Sequence, residues 1–202
     1  VFVMYNKIHD NALKKTRKYL SFIRVLTTSE ILRKYRESPL GPFWVVAANA
    51  LIILGLYVVY SRILKSTSDG YFLYLSFGLV GWYSIVNSIN GSANSLQQYQ
   101  HLILNFKIPL WTYPITVVST NFLLWLHNVP FLLLILIFNS KNLFLILPTI
   151  LGALTGSIIL LPFCIFFAAW CAKYKDLKQA IIVIMNGLFF VTPIVWYPSE
   201  LT

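Results

Sequence analysis

Long apolar stretches alternate with short polar ones along most of the chain, after a polar segment that covers residues 1–42. The stretches are 17 to 28 residues long and contain no Asp, Glu, Lys or Arg. A helix needs about 20 such residues to cross the hydrocarbon core of a bilayer. We therefore predict an all-α integral membrane protein whose transmembrane domain covers 43–202, with five spans at about 43–60, 71–89, 111–138, 143–170 and 180–196.

The segment before the first span has a different pattern. Between Thr16 and Tyr35, apolar residues recur mainly at spacings of three and four, with Lys and Arg between them. This periodicity predicts a helix with one apolar and one basic face, suited to the headgroup plane of an anionic inner leaflet. Such a helix is either a juxtamembrane anchor or a helix that also contacts a soluble partner, and the sequence leaves both open.

Composition and charge agree with a membrane protein. The chain is 58% hydrophobic and only 11% charged, whereas a soluble domain carries about 25% charged residues. The net charge of +10 would suit nucleic acid, but the basic residues lie between the apolar spans. With a cytoplasmic N-terminus, thirteen Lys and Arg fall on the inside and three on the outside. This positive-inside bias predicts that the N-terminus is cytoplasmic.

Several kinds of chemistry find no support in the sequence. It contains no P-loop, HExxH, CxxC or paired carboxylates, so we predict neither a catalytic nor a metal site. The lack of charged residues within the spans argues against proton antiport. Cys164 and Cys171, seven residues apart, are expected to pack in the core. Inter-helix hydrogen bonds are expected from the asparagines within the spans: Asn49, Asn87, Asn121, Asn128 and Asn186.

Three motifs stand at matching places between the spans. Residues 33–44 carry a basic-Tyr-basic, Ser-x-Leu-Gly-x-x-Trp pattern; residues 102–109 precede the third span; and an aromatic-basic-Asp stretch at 174–177 is followed by Thr-Pro-Ile at 192–194. In this order they resemble the permease subunits of type-2 ABC exporters that move O-antigen, capsular polysaccharide or teichoic acid. Exporters of a small drug or lipid share the helix count, and the motif before Trp44 argues against them.

The resemblance implies a six-helix permease in the bacterial inner membrane that pairs with a second copy of itself. The sixth helix is missing from this sequence, and we expect a truncated C-terminus. Two copies of a separate ATP-binding cassette ATPase would hold ATP and Mg, so no cofactor is expected in this chain. The cargo would be a glycan on a polyprenyl diphosphate, with membrane lipid as surroundings and no nucleic acid as partner.

The resemblance also implies where the ATPase would dock: on the amphipathic helix and on a short helix between spans two and three. The residues concerned are Tyr19, Ile23, Leu26, Gln97, Gln98, His101 and Leu102.

Two further candidate sites rest on residue chemistry. Basic side chains next to the first and fifth spans could hold the diphosphate by charge-assisted hydrogen bonds, or they could only set topology and contact lipid headgroups; they are Arg33, Lys34, Arg36, Lys173 and Lys175. Aromatic side chains could form a stacking surface for sugars along the translocation path at a dimer interface, or an interfacial belt; the candidates are Tyr57, Tyr60, Trp82, Tyr83, Phe189 and Phe190.

Overall fold

The computed structural model describes residues 2–63, 70–139 and 142–196, with side chains from Lys14 onward. These residues form an all-α bundle, which confirms the predicted fold class. Its helices are α1 (Phe2–Tyr35), α2 (Phe43–Ile63), α3 (Tyr71–Gln98), α4 (Gln100–Asn105), α5 (Thr112–Leu126), α6 (Val129–Phe138), α7 (Ile146–Lys173) and α8 (Asp176–Val191), with a 3-10 turn at Leu143–Leu145 before α7. Residues 197–202, the end of the predicted transmembrane domain, lie outside the described part.

Helix α3 is the centre of the bundle. It packs most extensively against α7 and α5, and also against α2 and α8, whereas α1 packs on α5. One apolar core surrounds Tyr71, Leu75 and Leu79 in the first half of α3. A second core surrounds Cys164 and Cys171. Both cysteines are fully buried, as predicted from their spacing.

Four described helical segments are long and apolar enough to cross a membrane: Phe43–Arg62, Tyr71–Gln98, Thr112–Phe138 and Leu143–Lys173. They correspond to the first four predicted spans. The second extends nine residues beyond its predicted end, into the polar run at 90–98. The predicted fifth span, 180–196, differs more, because α8 starts at Asp176, ends at Val191 and has only 16 residues.

A proline divides the third span into α5 and α6. Pro130 has no N–H to bond the carbonyl of Leu126, four residues earlier, so α5 ends there. At the break, Asn128 is 2% exposed and accepts a hydrogen bond at its Oδ1 from Nδ2 of Asn49 in α2, at 2.9 Å. The break therefore places a polar side chain inside the bundle.

The motif at 33–44 forms the turn between α1 and α2. Gly41 has φ +51°, a left-handed conformation in which a Cβ is strained. Its carbonyl accepts a hydrogen bond from the N–H of Trp44 at 3.3 Å, in the first turn of α2. The glycine of the motif is thus explained by backbone geometry.

The segment after α8 folds against the first turns of α3. Tyr71 donates its hydroxyl to the Val195 carbonyl at 2.7 Å, and Tyr74 donates to the Pro193 carbonyl. Ile194 and Val195 are buried, and Ile194 lies against Gly78, where a Cβ would come within 3.1 Å of its Cγ2. Thr192 caps the C-terminal end of α8, and of the Thr-Pro-Ile motif only Ile194 is buried in the core, while Pro193 is exposed.

Candidate functional site

A polar cavity of about 370 Å³ lies within the bundle, between α1, α2, α3 and α5. Five asparagines line it, which is unusual for membrane-spanning helices, and we call it the asparagine cavity. These asparagines are Asn49, Asn87, Asn90, Asn121 and Asn128. The other lining residues are Glu30, Lys34, Val45, Val80, Tyr83, Ser84, Gly91, Gln98, Tyr99, Val117, Thr120, Leu124 and Trp125.

Helical periodicity explains how two walls of the cavity form. On α3, Tyr83, Asn87 and Gly91 succeed one another at intervals of four, and on α5, Val117, Asn121 and Trp125 do the same. Residues at this spacing share one helix face. The two helices come very close at one point, because a Cβ on Gly91 would lie 2.8 Å from Cγ1 of Val117.

The asparagines within the spans were predicted to form inter-helix hydrogen bonds. Among them, Asn49 and Asn128 form such a bond, while Asn87 and Asn121 line the cavity and Asn186 is exposed on α8. Asn90, which was not singled out, also lines the cavity, and its buried Oδ1 has no hydrogen-bond partner in the described part of the chain. The signal in the sequence that could have indicated the cavity was the four-residue spacing of Asn87 and Gly91, which is repeated at Val117 and Asn121.

Charged residues occur at one end of the cavity, where the last turns of α1 meet the end of α3; we call this the α1 end. Arg33 Nη2 donates to both carboxylate oxygens of Glu30 at 2.9 Å. Burial raises the pKa of Tyr99, and the negative charge of nearby Glu30 raises it further. Glu30 therefore lies close to Tyr99, at the junction of α3 and α4.

The predicted diphosphate residues remain in two separate groups, with no described interaction joining them. In the first, Arg33 is paired with Glu30, and Lys34 lies 5.7 Å from the ring centre of Tyr35 and lines the cavity. In the second, Lys173 lies 5.1 Å from the ring centre of Tyr174. Arg36, Lys173 and Lys175 do not line the cavity. A shared diphosphate site within one copy of the chain stays a prediction.

Lys178, the third basic residue near the start of α8, was not predicted to belong to a site. Its Nζ donates to Oδ1 of Asn94 at 2.6 Å and so connects α8 to α3. Because these residues are 84 positions apart, only the packing of the two helices could identify the pair.

Four of the six predicted path aromatics are half-buried, and Tyr57 and Phe190 are exposed. Tyr57 stacks on Tyr71 at 6.1 Å between ring centres, and Trp82 lies 6.2 Å from Phe189. Tyr60, Trp82, Tyr83 and Phe189 border the first apolar core. Phe190 is 72% exposed, and Tyr83 alone of the six lines the asparagine cavity. Their role in a translocation path stays a prediction.

The residues predicted to contact an ATPase fall into two environments. On α1, Tyr19 packs edge-on against Trp111 at 5.6 Å, Ile23 is 9% exposed, and Leu26 is half-buried. Tyr19 therefore contacts a residue of the same chain. By contrast, Gln97, Gln98 and His101 are exposed, and Leu102 is half-buried.

Two apolar side chains next to the second group were not predicted. Leu104 is 77% exposed and Phe106 is 54% exposed. Together with Gln97, Gln98, His101 and Leu102 they form what we call the α4 surface.

The cavity has the chemistry of a binding site. Its amides and hydroxyls donate and accept hydrogen bonds without carrying charge. Among the described residues, no group of three or more His, Cys, Asp and Glu side chains is placed to hold a metal ion. The lining offers hydrogen bonds and aromatic faces to a neutral polar ligand.

Two known proteins are similar to most of this chain. The O-antigen export system permease protein RfbA of Myxococcus xanthus is 21% identical over 188 residues, which are 91% of this chain and 71% of that protein. The protein of the same name from Klebsiella pneumoniae is 23% identical over 179 residues, which are 88% of this chain and 69% of that protein. No protein-family model matches the chain. Long apolar helices and two relatives that match along nearly the whole chain agree with the three motifs, and together they support a membrane-spanning permease subunit of the type-2 ABC exporter kind.

Proposed function

We propose that this chain is the permease subunit of an ATP-driven exporter that carries a polyprenyl-diphosphate-linked polysaccharide of the O-antigen type across the bacterial inner membrane. The similarity to two O-antigen export permeases over about nine-tenths of the chain carries this proposal. Their names favour O-antigen over capsular polysaccharide or teichoic acid as cargo. The complex contains a second copy of the chain, and its N-terminus lies in the cytoplasm, as the distribution of basic residues predicts.

ATP hydrolysis belongs to a separate subunit in this proposal, because the sequence contains no P-loop. The α4 surface is the part of the chain best suited to contact that subunit. It presents Leu104 and Phe106 to solvent next to polar Gln97 and His101. Exposed apolar side chains bordered by polar ones are typical of protein–protein contacts. The basic residues near the α1 end would attract the anionic diphosphate to the cytoplasmic side.

The test is to co-express the full-length protein with its candidate ATPase subunit, purify the pair through a tag on the permease, and measure ATP hydrolysis in lipid. We expect the ATPase to co-purify and its hydrolysis to rise when the lipid-linked glycan is added. A permease that purifies alone under gentle conditions contradicts the proposal.

Variants locate the contact in the same experiment. Leu104→Ser combined with Phe106→Ser should abolish co-purification. The matched control is Leu40→Ser, which changes a 51% exposed leucine in the turn between α1 and α2. Equal loss of the ATPase in both variants would contradict the assignment to the α4 surface.

A further inference from the structure

We propose that the asparagine cavity is a recognition site for a neutral sugar unit of the cargo, which enters from the α1 end and is held by side-chain amides. This inference rests on the proposed function for the identity of the cargo, and on the cavity for the chemistry of the contact. It assigns binding of a sugar unit to the interior of a single copy of the chain. The route by which the rest of the polymer crosses the membrane is not part of this proposal.

The lining matches the hydrogen-bonding character of a sugar. Each asparagine side chain offers two donors and one acceptor oxygen, and each sugar hydroxyl is both donor and acceptor. The charged lining residues, Glu30 and Lys34, are confined to the α1 end, and Glu30 is already paired with Arg33. The deeper lining is uncharged, so it favours a neutral polar ligand over an ion.

The amides in the cavity also need polar partners. A polar group in a membrane-spanning helix is costly unless it forms hydrogen bonds. Asn49 and Asn128 satisfy part of this requirement by bonding each other. Asn90 does not, because its Oδ1 is buried and has no partner among the described residues.

Aromatic side chains provide the second kind of contact that sugars use. Half-buried Tyr83 lines the cavity beside the amides, together with Tyr99 and Trp125, which are each 5% exposed. A ring such as that of Tyr83 combines an apolar face with a polar group. The volume of about 370 Å³ is at the lower end of the ~300–1,000 Å³ that is usual for small-molecule sites. The cavity is therefore suited to a short part of a glycan.

The experiment measures access to the cavity and its protection by ligand. Ser84, a lining residue without an amide, is changed to Cys in the full-length protein, assembled with its ATPase in proteoliposomes, and treated with a small water-soluble methanethiosulfonate. Cys164 and Cys171 are fully buried and give the background in the unmodified protein. The control is Lys15→Cys, an exposed position on α1 that belongs neither to the cavity nor to the α4 surface.

Three ligands are compared: the lipid-linked glycan, the glycan released from its lipid by mild acid, and the polyprenyl diphosphate without sugar. We expect the cysteine at position 84 to react, and both glycan-bearing ligands to slow the reaction by about tenfold, as bound ligand at ten times its Kd would. The cysteine at position 15 should react at the same rate throughout.

Each contrary result overturns the inference. A cysteine at position 84 that does not react shows that the cavity is closed to water. One that reacts equally fast with and without glycan shows that the cavity holds water only. Protection by the sugar-free polyprenyl diphosphate equal to that by the glycan shows that the lipid, not the sugar, is bound.

A transport measurement separates this inference from the proposed function. Asn87→Leu combined with Asn121→Leu should lower export of the glycan by about tenfold, a change that corresponds to ~1.4 kcal/mol. Asn139→Leu, at the end of α6 and outside the cavity, should not. If the unmodified complex exports no glycan, the proposed function is wrong. If it exports glycan and the labelling shows no protection, only the sugar site is wrong.

Discussion

Asn49 and Asn128 bond to each other across the bundle, from α2 to the break between α5 and α6, with 2.9 Å between Nδ2 and Oδ1. Asn128 also donates from its own Nδ2 to the Leu124 carbonyl at 3.2 Å. The pair lies at the wall of the asparagine cavity. Because α2 otherwise packs mainly on α3, this bond fixes α2 against a second element.

Replacing either member of this pair should destabilise the bundle and reveal their coupling. We expect Asn49→Leu and Asn128→Leu each to lower the free energy of unfolding, because each leaves the other amide without its partner. A double-mutant cycle should give a coupling of about 0.6–1.7 kcal/mol, the range for hydrogen bonds between membrane helices. Unfolding in mixed micelles measures these values, and additive effects would contradict the bond.

Gly91 should tolerate no side chain while Val117 faces it. A Cβ at this position would lie 2.8 Å from Cγ1 of Val117, so Gly91→Ala should force α3 and α5 apart and destabilise the protein by about 1–3 kcal/mol. Adding Val117→Ala should restore much of the loss. Gly81→Ala on the same helix is the control, since its Cβ would meet nothing within 4 Å. Thermal unfolding of the three variants distinguishes a clash from a general glycine effect.

Replacing Gly41 tests whether the glycine of the motif before the first span is required by the backbone conformation. Its φ is +51°, and a Cβ added there would meet nothing within 4 Å. Gly41→Ala should therefore cost about 1–2 kcal/mol through backbone strain alone. Gly55→Ala, within α2 and equally free of neighbours, lacks the positive φ and should not destabilise. Equal unfolding temperatures for the two variants would contradict this explanation.

Tyr71 should hold the segment that follows α8. Tyr71→Phe keeps the ring but removes the hydroxyl that bonds the Val195 carbonyl at 2.7 Å, at a cost of about 1 kcal/mol. Hydrogen exchange of residues 192–196 should then accelerate by roughly fivefold. The amides of α7 serve as the internal reference and should keep their rates. Unchanged exchange at 192–196 would show that the Tyr71 hydroxyl does not hold the segment.

Neutral variants of the basic residues test the predicted diphosphate site. Arg33→Gln combined with Arg36→Gln should lower glycan export while the protein still inserts, because neutral amides attract an anion less than guanidinium groups do. Lys173→Gln combined with Lys175→Gln tests the second group in the same way. Lys14→Gln combined with Lys15→Gln, on the exposed part of α1, is the matched control. Unimpaired export, or a permease lost from the membrane, would contradict a diphosphate site.

Much of this protein could be predicted from local features of its sequence. Apolar stretches identified the first four membrane helices, and the three motifs indicated the family that the two relatives support. The predicted burial of Cys164 and Cys171 was confirmed as well. The fifth span was less well predicted, because 180–196 is apolar throughout, yet helix α8 ends at Val191 and the following residues bond to α3.

The sequence by itself determined which residues form helices and which of them share a helix face, because length and periodicity are properties of neighbouring positions. Only the tertiary structure decided which faces meet. It joined Asn49 to Asn128 and Lys178 to Asn94, 79 and 84 positions apart. It also placed Asn87 opposite Asn121 to form a cavity. The physical reason is that the rotation of one helix against another is set by packing between distant parts of the chain, as where Gly91 admits Val117.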